Sequence, residues 1–311
     1  MIQIFLISLF GLTTPETQHF NAGLLGLWES YDQRIQVMAH ESISGAYDIY
    51  YVKKDLPPRR FVGRTFSLHE QLILDLLPVT DKPDPHVLAG HSFHRLRLDG
   101  ETLHVDMLNV GWVYRIARDS DAVRIARTHD KLVLTSPTEQ LQAFFKAYGM
   151  EEDFWASDKT LRQHDTAALL KIGEFAPEFR VSDQAGVVHR LSEYKDDKNV
   201  VLIFYPGDDT PGCTKQLCAV RDDYSQFQAT DVAFFGVNPQ SAKSHRKFIE
   251  KYDLPFPLLV DSERQLMSHY GCQGKRWTQR TVYGIDKTGR IVFAQRGMPS
   301  NEEILQAFAT D

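Results

Sequence analysis

Three cysteines, Cys213, Cys218 and Cys272, are the residues of this 311-residue chain whose type and placement point to chemistry. Three do not make a disulfide scaffold, and they suit redox chemistry better than stapling. Cys213 follows the apolar run Val200-Val-Leu-Ile-Phe-Tyr205 and the turn-forming stretch Pro206-Gly-Asp-Asp-Thr-Pro-Gly212. From Thr214 the period becomes helical, with Leu217, Val220, Tyr224 and Phe227 on one apolar stripe. Cys213, four residues before Leu217, lies on the inward face of the first turn. A thiol there meets unpaired backbone N–H groups and the positive end of the helix dipole, which favour thiolate over thiol. Cys218 is about 140° further round and about 8–9 Å away between Cα atoms, with Arg221, Asp222 and Ser225 on its polar flank. A disulfide needs Cα atoms roughly 4.4–6.8 Å apart, so these two can pair only if the first helical turns unwind. The spacing alone is equally compatible with two buried core thiols.

The elements that must hold Cys213 read as an α/β unit. Val200–Tyr205 is a buried strand, Val232–Val237 a second, and Leu258–Val260 a short third. Val282–Asp286 and Ile291–Gln295 flank the turn Lys287-Thr-Gly. Phe175–Val181 and Val187–Leu191 form a small hairpin, Lys195–Lys198 is briefly helical, and helices are expected over Ser241–Tyr252 and Glu302–Phe308. Alternating β and α elements imply a central sheet.

The pattern Pro206, Thr210, Cys213, followed after four residues by Cys218, resembles the active site of the peroxiredoxins, specifically the bacterioferritin-comigratory or Q-type subgroup. Gly173-Glu-Phe-Ala-Pro-Glu-Phe, Phe204-Tyr-Pro, Thr210-Pro-Gly-Cys-Thr, Phe256-Pro-Leu-Leu-Val-Asp261 and Arg280-Thr-Val-Tyr carry the resemblance, in order, over about the last 140 residues. It implies a thioredoxin-like fold and a thioredoxin-dependent peroxidase. In that reading Cys213 is the peroxidatic nucleophile, oxidised to a sulfenic acid. Thr210 orients peroxide and thiolate, Arg280 holds the anion and polarises the oxygens, and Pro206 shields the pocket. Cys218 then forms an intrachain disulfide with Cys213, which thioredoxin or a similar dithiol reduces. The substrates implied are hydrogen peroxide and organic hydroperoxides, with no cofactor and no metal. Cys272 matches no position of the family pattern and reads as a buried, incidental thiol.

Residues 22–135 differ in kind: short strands with turns every 8–12 residues indicate an antiparallel barrel or sandwich. Strands are expected at Arg34–Met38, Tyr47–Lys53, Phe61–Leu68, Gln71–Leu77, Val110–Ile116, Val123–Arg127 and Leu132–Leu134. A hairpin turning at Asp99-Gly100 puts Leu96, Leu98, Leu103, Val105 and Met107 on a buried face and Arg95, Arg97, Thr102, His104 and Asp106 on a wet one. Trp112, Tyr114, Leu96, Leu98 and Met107 make an inward row that either fills a barrel or lines a cavity. Ser136-Pro-Thr-Glu-Gln-Leu starts one helix, with Ser136 as N-cap and Leu141, Phe144, Phe145 and Tyr148 inward. Gly26-Leu-Trp28 resembles the Gly-x-Trp of lipocalin-type barrels. His86, His91 and His94 lack metal-site geometry, since His91 and His94 point to opposite faces of a strand; His94 reads as a core histidine.

Length allows two domains. The chain is 42% hydrophobic and 24% charged with net charge −6, a soluble, mildly acidic composition that gives no reason to expect nucleic acid. Ile2–Leu12 has the length of a secretory apolar core but no basic residue before it, so it reads as a degenerate export signal, a first strand or a disordered start. The compartment, cytoplasmic or exported to the periplasm, and any membrane contact stay open. The domain plan is a possible signal or disordered segment at 1–20, an all-β lipocalin-like barrel with one helix at 21–155, a polar linker at 156–168, and a thioredoxin-like domain at 169–311, in a chain expected to be a monomer. The rival reading is an apolar-ligand-binding barrel protein with a purely structural thioredoxin-like module.

Overall fold

A computed structural model of the chain describes residues 5–8, 11, 18–54, 56–79, 90–127 and 131–309. His86 and much of the Ile2–Leu12 run lie outside the described residues. The chain divides into two compact units, Met1–Gln163 and His164–Asp311.

In the first unit Phe5–Ser8 (β1) is followed by Gly26–Glu29 (β2), Gln33–Ala39 (β3), Ala46–Lys53 (β4), Arg59–Leu68 (β5), Gln71–Pro78 (β6), Ser92–Asp99 (β7) and Thr102–Leu108 (β8). Next come Val110–Asp119 (α1), Ile125–Arg127 (β9), Lys131–Leu134 (β10), Thr138–Tyr148 (α2) and Trp155–Gln163 (β11). β11 pairs antiparallel with both β8 and β2, closing an eight-stranded barrel of order β11-β2-β3-β4-β5-β6-β7-β8. β1, β10 and β9 form a separate small sheet, in which β1 runs parallel to β10. Alternate residues of the barrel strands meet inside it: Trp28, Val37, Ile49, Leu74, Leu96 and Leu161 belong to one buried cluster. Trp28, the tryptophan of the Gly-x-Trp stretch, is a core residue whose indole N–H donates to the Leu24 carbonyl at 2.9 Å.

A second cluster lies outside the barrel wall and corrects several expectations. Phe66, Ile73, Phe93, Leu108 and Trp155 point outward and are covered by Trp112 and Val113 of α1 and by Leu141, Phe144 and Phe145 of α2. The wet face of the β7–β8 hairpin is therefore partly buried: Asp106 is 1% exposed and accepts two hydrogen bonds from Arg95, at 2.7 and 2.9 Å. Val110–Ile116 is helical rather than a strand. Its alternation of Val110, Trp112, Tyr114 and Ile116 imitates a period of two, yet Trp112, Val113 and Ile116 share one helical face, and Asn109 caps the Trp112 N–H. Tyr114 is 45% and Leu98 39% exposed and Trp112 covers the outer wall, so the expected inward row of five holds only in part, with Leu96 buried inside the barrel. The hairpin pairs Asp99 with Thr102, which makes Gly100-Glu101 its turn. Ser136 is not the N-cap of α2, which begins after Pro137; its hydroxyl accepts from Arg124 N instead.

The polar stretch from Ala156 is the barrel's closing strand, not a linker. Leu161 is its buried residue in the barrel, Ser157, Thr160 and Arg162 are exposed, and a register shift between Ser157 and Lys159 breaks the alternation that would have revealed a strand. His91 pairs with Asp75 at 2.6 Å, while His94 faces the other way and contacts the Ser92 hydroxyl at 3.1 Å.

The second unit begins with the hairpin Arg180–Ser182 (β12) and Val188–Arg190 (β13). It continues with Asn199–Phe204 (β14), Pro211–Asp222 (α3), Tyr224–Ala229 (α4), Val232–Asn238 (β15), Ala242–Tyr252 (α5), Leu258–Val260 (β16), Gln265–His269 (α6), Thr281–Ile285 (β17), Ile291–Arg296 (β18) and Asn301–Gln306 (α7). The sheet order is β16-β15-β14-β17-β18, with β14 parallel to β15 and antiparallel to β17. β14 is buried on both faces, which is why it reads as an unbroken apolar run. Val200, Leu202 and Phe204 join one core cluster; Val201, Ile203 and Tyr205 join another that contains Cys213, Leu217 and Phe227. The stripe running from Leu217 to Phe227 spans two helices rather than one, because the chain breaks at Asp223. The brief helix expected over Lys195–Lys198 is replaced by a 3-10 turn at Leu191–Glu193. α6 has no apolar period to announce it. It is started by Asp261, whose carboxylate accepts the N–H groups of Leu266 and Met267 at 3.0 and 2.8 Å.

Burial pushes the Glu178 carboxyl up to about 7, against hydrogen bonds from the backbone of Ser192 and Phe179, and pushes Asp261 up to about 6. Both lie above their unfolded values, so folding favours the protonated forms. The stabilisation is complete below the unfolded pKa values, roughly 4, and is lost as pH rises through the folded ones. Glu178→Gln is expected to flatten the pH dependence of second-unit stability between about pH 4 and 7, leaving the variant on the order of 3 kcal/mol more stable relative to wild type at pH 8 than at pH 4. Calorimetric unfolding at the two pH values measures this; an unchanged slope in the variant refutes it.

Candidate active site

β14 carries the chain through the centre of the sheet and releases it at Tyr205. The loop Pro206–Thr210 turns it into α3, with Thr210 at the N-cap and Pro211 in the first helical position, where its missing N–H costs nothing. Cys213 is therefore in the first turn and is completely buried. The backbone N–H groups of this turn have no acceptor within the helix.

Arg280 reaches the same point from the neighbouring strand. Phe204 pairs with Thr281 across β14 and β17, so the residue preceding β17 lies at the same end of the sheet as Tyr205 and the loop. Arg280 Nη2 donates to Cys213 Sγ at 3.1 Å. Its Nη1 donates to Gln216 Oε1, one turn along α3 from Cys213. Gln216 is 7% exposed, and its Nε2 has no hydrogen-bond partner among the described residues. The Thr210 hydroxyl donates to the Gly207 carbonyl at 3.1 Å, which leaves its oxygen lone pairs as acceptors. Pro206 is half-buried at the exit of β14. The sequence-expected residues Pro206, Thr210, Cys213 and Arg280 thus converge on the start of α3. A fork of guanidinium donors faces a sulfur, with a hydroxyl acceptor at the helix N-cap, an arrangement suited to stabilising charge on sulfur and on a departing oxygen.

Cys218 is half-buried and unbonded, in the same unbroken helix. Helix geometry therefore keeps it about 8–9 Å from Cys213 between Cα atoms. Cys272 lies on the opposite side of the sheet, in the cluster of Val200 and Leu202. Its thiol donates to the Tyr270 carbonyl at 3.2 Å, and burial pushes it up to about 12, which makes it an inert structural thiol.

Several polar residues at this end of the sheet escaped the sequence reading. Gln216 sits one turn from Cys213, and a turn-spaced polar residue on the inward side was the available signal. Asp208 is buried beneath the loop, and its carboxylate contacts Tyr205, Asn238, Ser244 and His245. Burial raises its pKa, but hydrogen bonds and the charge of His245 outweigh this, so the net shift is downward. Tyr205, buried and next to Asp208, is held well above the usual phenol range. Gly207 packs so tightly that a Cβ would meet Gln240 Oε1 at 3.0 Å. Among the described residues no group of three or more His, Cys, Asp or Glu side chains is placed to hold a metal ion.

The sequence profile of the AhpC/TSA family matches residues 172–294. Peroxiredoxin Bcp of Bacillus subtilis (strain 168) is 37% identical over 149 residues, covering 45% of this chain and 94% of that protein. The chloroplastic peroxiredoxin Q of Sedum lineare is 37% identical over 141 residues, 44% of this chain and 75% of that protein. Among solved structures, peroxidoxin BcpB from Mycobacterium tuberculosis is 28% identical, with a TM-score of 0.42 over 45% of this chain and 97% of that one. By its C-terminal half, which carries the thiol, guanidinium and hydroxyl just described, the chain belongs to the peroxiredoxin family, in the bacterioferritin-comigratory or Q subgroup.

Proposed function

We propose that this thiol-dependent peroxidase reduces hydrogen peroxide and organic hydroperoxides through Cys213 and is recycled through a Cys213–Cys218 disulfide. The observation that carries the reading is the 3.1 Å hydrogen bond from Arg280 Nη2 to Cys213 Sγ at the start of α3. The Cys213 thiolate attacks one peroxide oxygen; the S–O bond forms as the O–O bond breaks, and the other oxygen leaves as hydroxide or alkoxide and takes up a proton. Arg280 stabilises charge on the sulfur and on the leaving oxygen, Thr210 accepts from the peroxide O–H, and Pro206 limits water access. The Cys218 sulfur then attacks the sulfenic sulfur, water departs, and the disulfide forms after α3 has unwound locally. A dithiol such as thioredoxin supplies the two electrons that restore both thiols. An intrachain disulfide needs no second subunit, which supports a monomeric catalyst.

The barrel we read as a packed structural or targeting module rather than a lipocalin-like carrier. Trp28 and Tyr47, both essentially unexposed, occupy its interior together with Leu96, and Trp112 and Tyr114 of the row that motivated a ligand cavity lie on α1 rather than on a barrel strand.

Cys213→Ser is expected to abolish peroxide turnover, whereas Cys218→Ser should consume one equivalent of peroxide and then fail to be recycled by thioredoxin. Peroxide titration of the pre-reduced protein decides; full activity in Cys213→Ser removes the assignment. The oxidised protein should also lose amide-exchange protection across residues 213–221 and regain it on reduction. A protein proven to carry the disulfide yet fully protected there would refute local unwinding.

A further inference from the structure

Asp208 and His245 form a buried pair beneath the loop that carries Thr210, and none of the chemical steps above uses them. Asp208 Oδ1 accepts from the Tyr205 hydroxyl and from Asn238 Nδ2, both at 2.8 Å. Its Oδ2 accepts from the Ser244 hydroxyl at 2.6 Å and faces His245 Nδ1 at 2.9 Å. The partners come from the exits of β14 and β15 and from the first turn of α5. His245 Nε2 lies 3.2 Å from the Leu259 carbonyl on β16. The imidazole thus bridges the Asp208 carboxylate to the backbone of β16. The two side chains are 0% and 3% exposed.

This pair holds the chain two residues before the N-cap of α3. Asp208 N–H is fixed in turn by Gln240 Oε1, and the Gly207 carbonyl by the Thr210 hydroxyl. The far end of α5 grips the same segment on both sides: Lys251 Nζ and the Tyr252 hydroxyl bind Asp209, and the Tyr252 carbonyl accepts from Arg221. Residues 210–220, with both reactive cysteines, therefore lie between two attachments to one helix. The Lys251–Asp209 contact is about half exposed and contributes little. The buried carboxylate with its full set of partners is costly to strip, because each group left unpaired loses its hydration without compensation.

We propose that the Asp208–His245 pair is a positioning device for the thiol site: it holds the Pro206–Thr210 loop and the start of α3 in the intact, peroxide-reactive arrangement, and its strength sets how readily the helix unwinds to bring Cys213 to Cys218. The inference rests on the two-cysteine reading above. Because intact and unwound helix are alternative states of one equilibrium, weakening the pair lowers the population that reacts with peroxide and raises the one that closes the disulfide. Simple structural damage slows both steps.

The test uses the full chain and two variants, Asp208→Asn and Ser244→Ala. Stopped-flow mixing with hydrogen peroxide gives the Cys213 oxidation rate, and mass spectrometry of quenched samples gives the disulfide rate and the sulfinic acid formed at a fixed peroxide excess. In Asp208→Asn the disulfide rate is expected to rise about tenfold, with less sulfinic acid, as loss of one charge-assisted hydrogen bond predicts, while the oxidation rate falls by less than about twofold because the intact helix stays the major state. Ser244→Ala removes one donor without stranding the carboxylate and should shift both rates in the same senses by less. If Asp208→Asn does not fold, Ser244→Ala decides alone. Two rates that fall together, or that stay at wild-type values, overturn the positioning role. A wild-type chain that forms no Cys213–Cys218 disulfide under peroxide overturns the underlying two-cysteine reading instead.

Discussion

The proposed cycle needs a negative charge on a sulfur inside an apolar cluster, which is costly unless donors reach it, and Cys213, wholly buried beside Leu217 and Phe227, has two sources of them at hand. One is the start of α3, whose N–H groups converge on the first turn. The other is Arg280, delivered by strand register: with Phe204 opposite Thr281, the residue before β17 falls beside the loop after β14. Shifting that register by one residue would turn Thr281 and its successors to the opposite faces of the sheet. Gln216 fixes the guanidinium from its other side. A planar fork answers both partners at once, which a lysine ammonium could not do with the same geometry.

The same helix faces a second, opposing demand in the proposed cycle. It must be formed to gather donors around Cys213, and it must open to let that sulfur reach Cys218. α3 is short, ends at Asp222 and is followed by a separate helix, so opening its start need not propagate into α4. Of the polar contacts that hold its start, those of Asp208 before the helix are buried, whereas the Arg221–Asp222 ion pair along it is exposed. A helix tethered by its preceding loop can melt at one end while the β14–β15 core stays intact.

How much of this was legible in the sequence depended on whether the signal was local. β14, the first turn of α3 and the grouping of Pro206, Thr210 and Cys213 were readable because a buried strand, turn residues and helical period follow one another without interruption. Arg280 was placed by family resemblance, and the physical reason for its position is a strand register that no single segment contains. Asp208 and His245 were missed for a related reason, since they meet only through the fold. The available hint was a histidine three residues before Phe248 on the apolar side of α5, where an unpaired imidazole would be costly. In the first unit the errors came from period: α1 imitated a strand because bulky residues happened to alternate, and β11 imitated a linker because a register shift and solvated outward residues erased its alternation.

The positions of α1 and β11 explain why the barrel needs residues 109–154. Seven strands from β2 to β8 leave two unpaired edges, a liability for any sheet, and the closing strand has to pair with β8 and β2 simultaneously. Closure alone would leave Phe66, Ile73, Phe93 and Leu108 facing water on the outer wall. The excursion between β8 and β11 solves this before the chain returns: α1 and α2 lay Trp112, Phe144 and Phe145 over those residues, and Phe154 and Trp155 lock the junction edge-to-face with ring centroids 5.0 Å apart. The aromatic density of this stretch is therefore a requirement of covering a closed barrel from outside, which is why Trp112, expected in the inward row, lies on the outer wall instead.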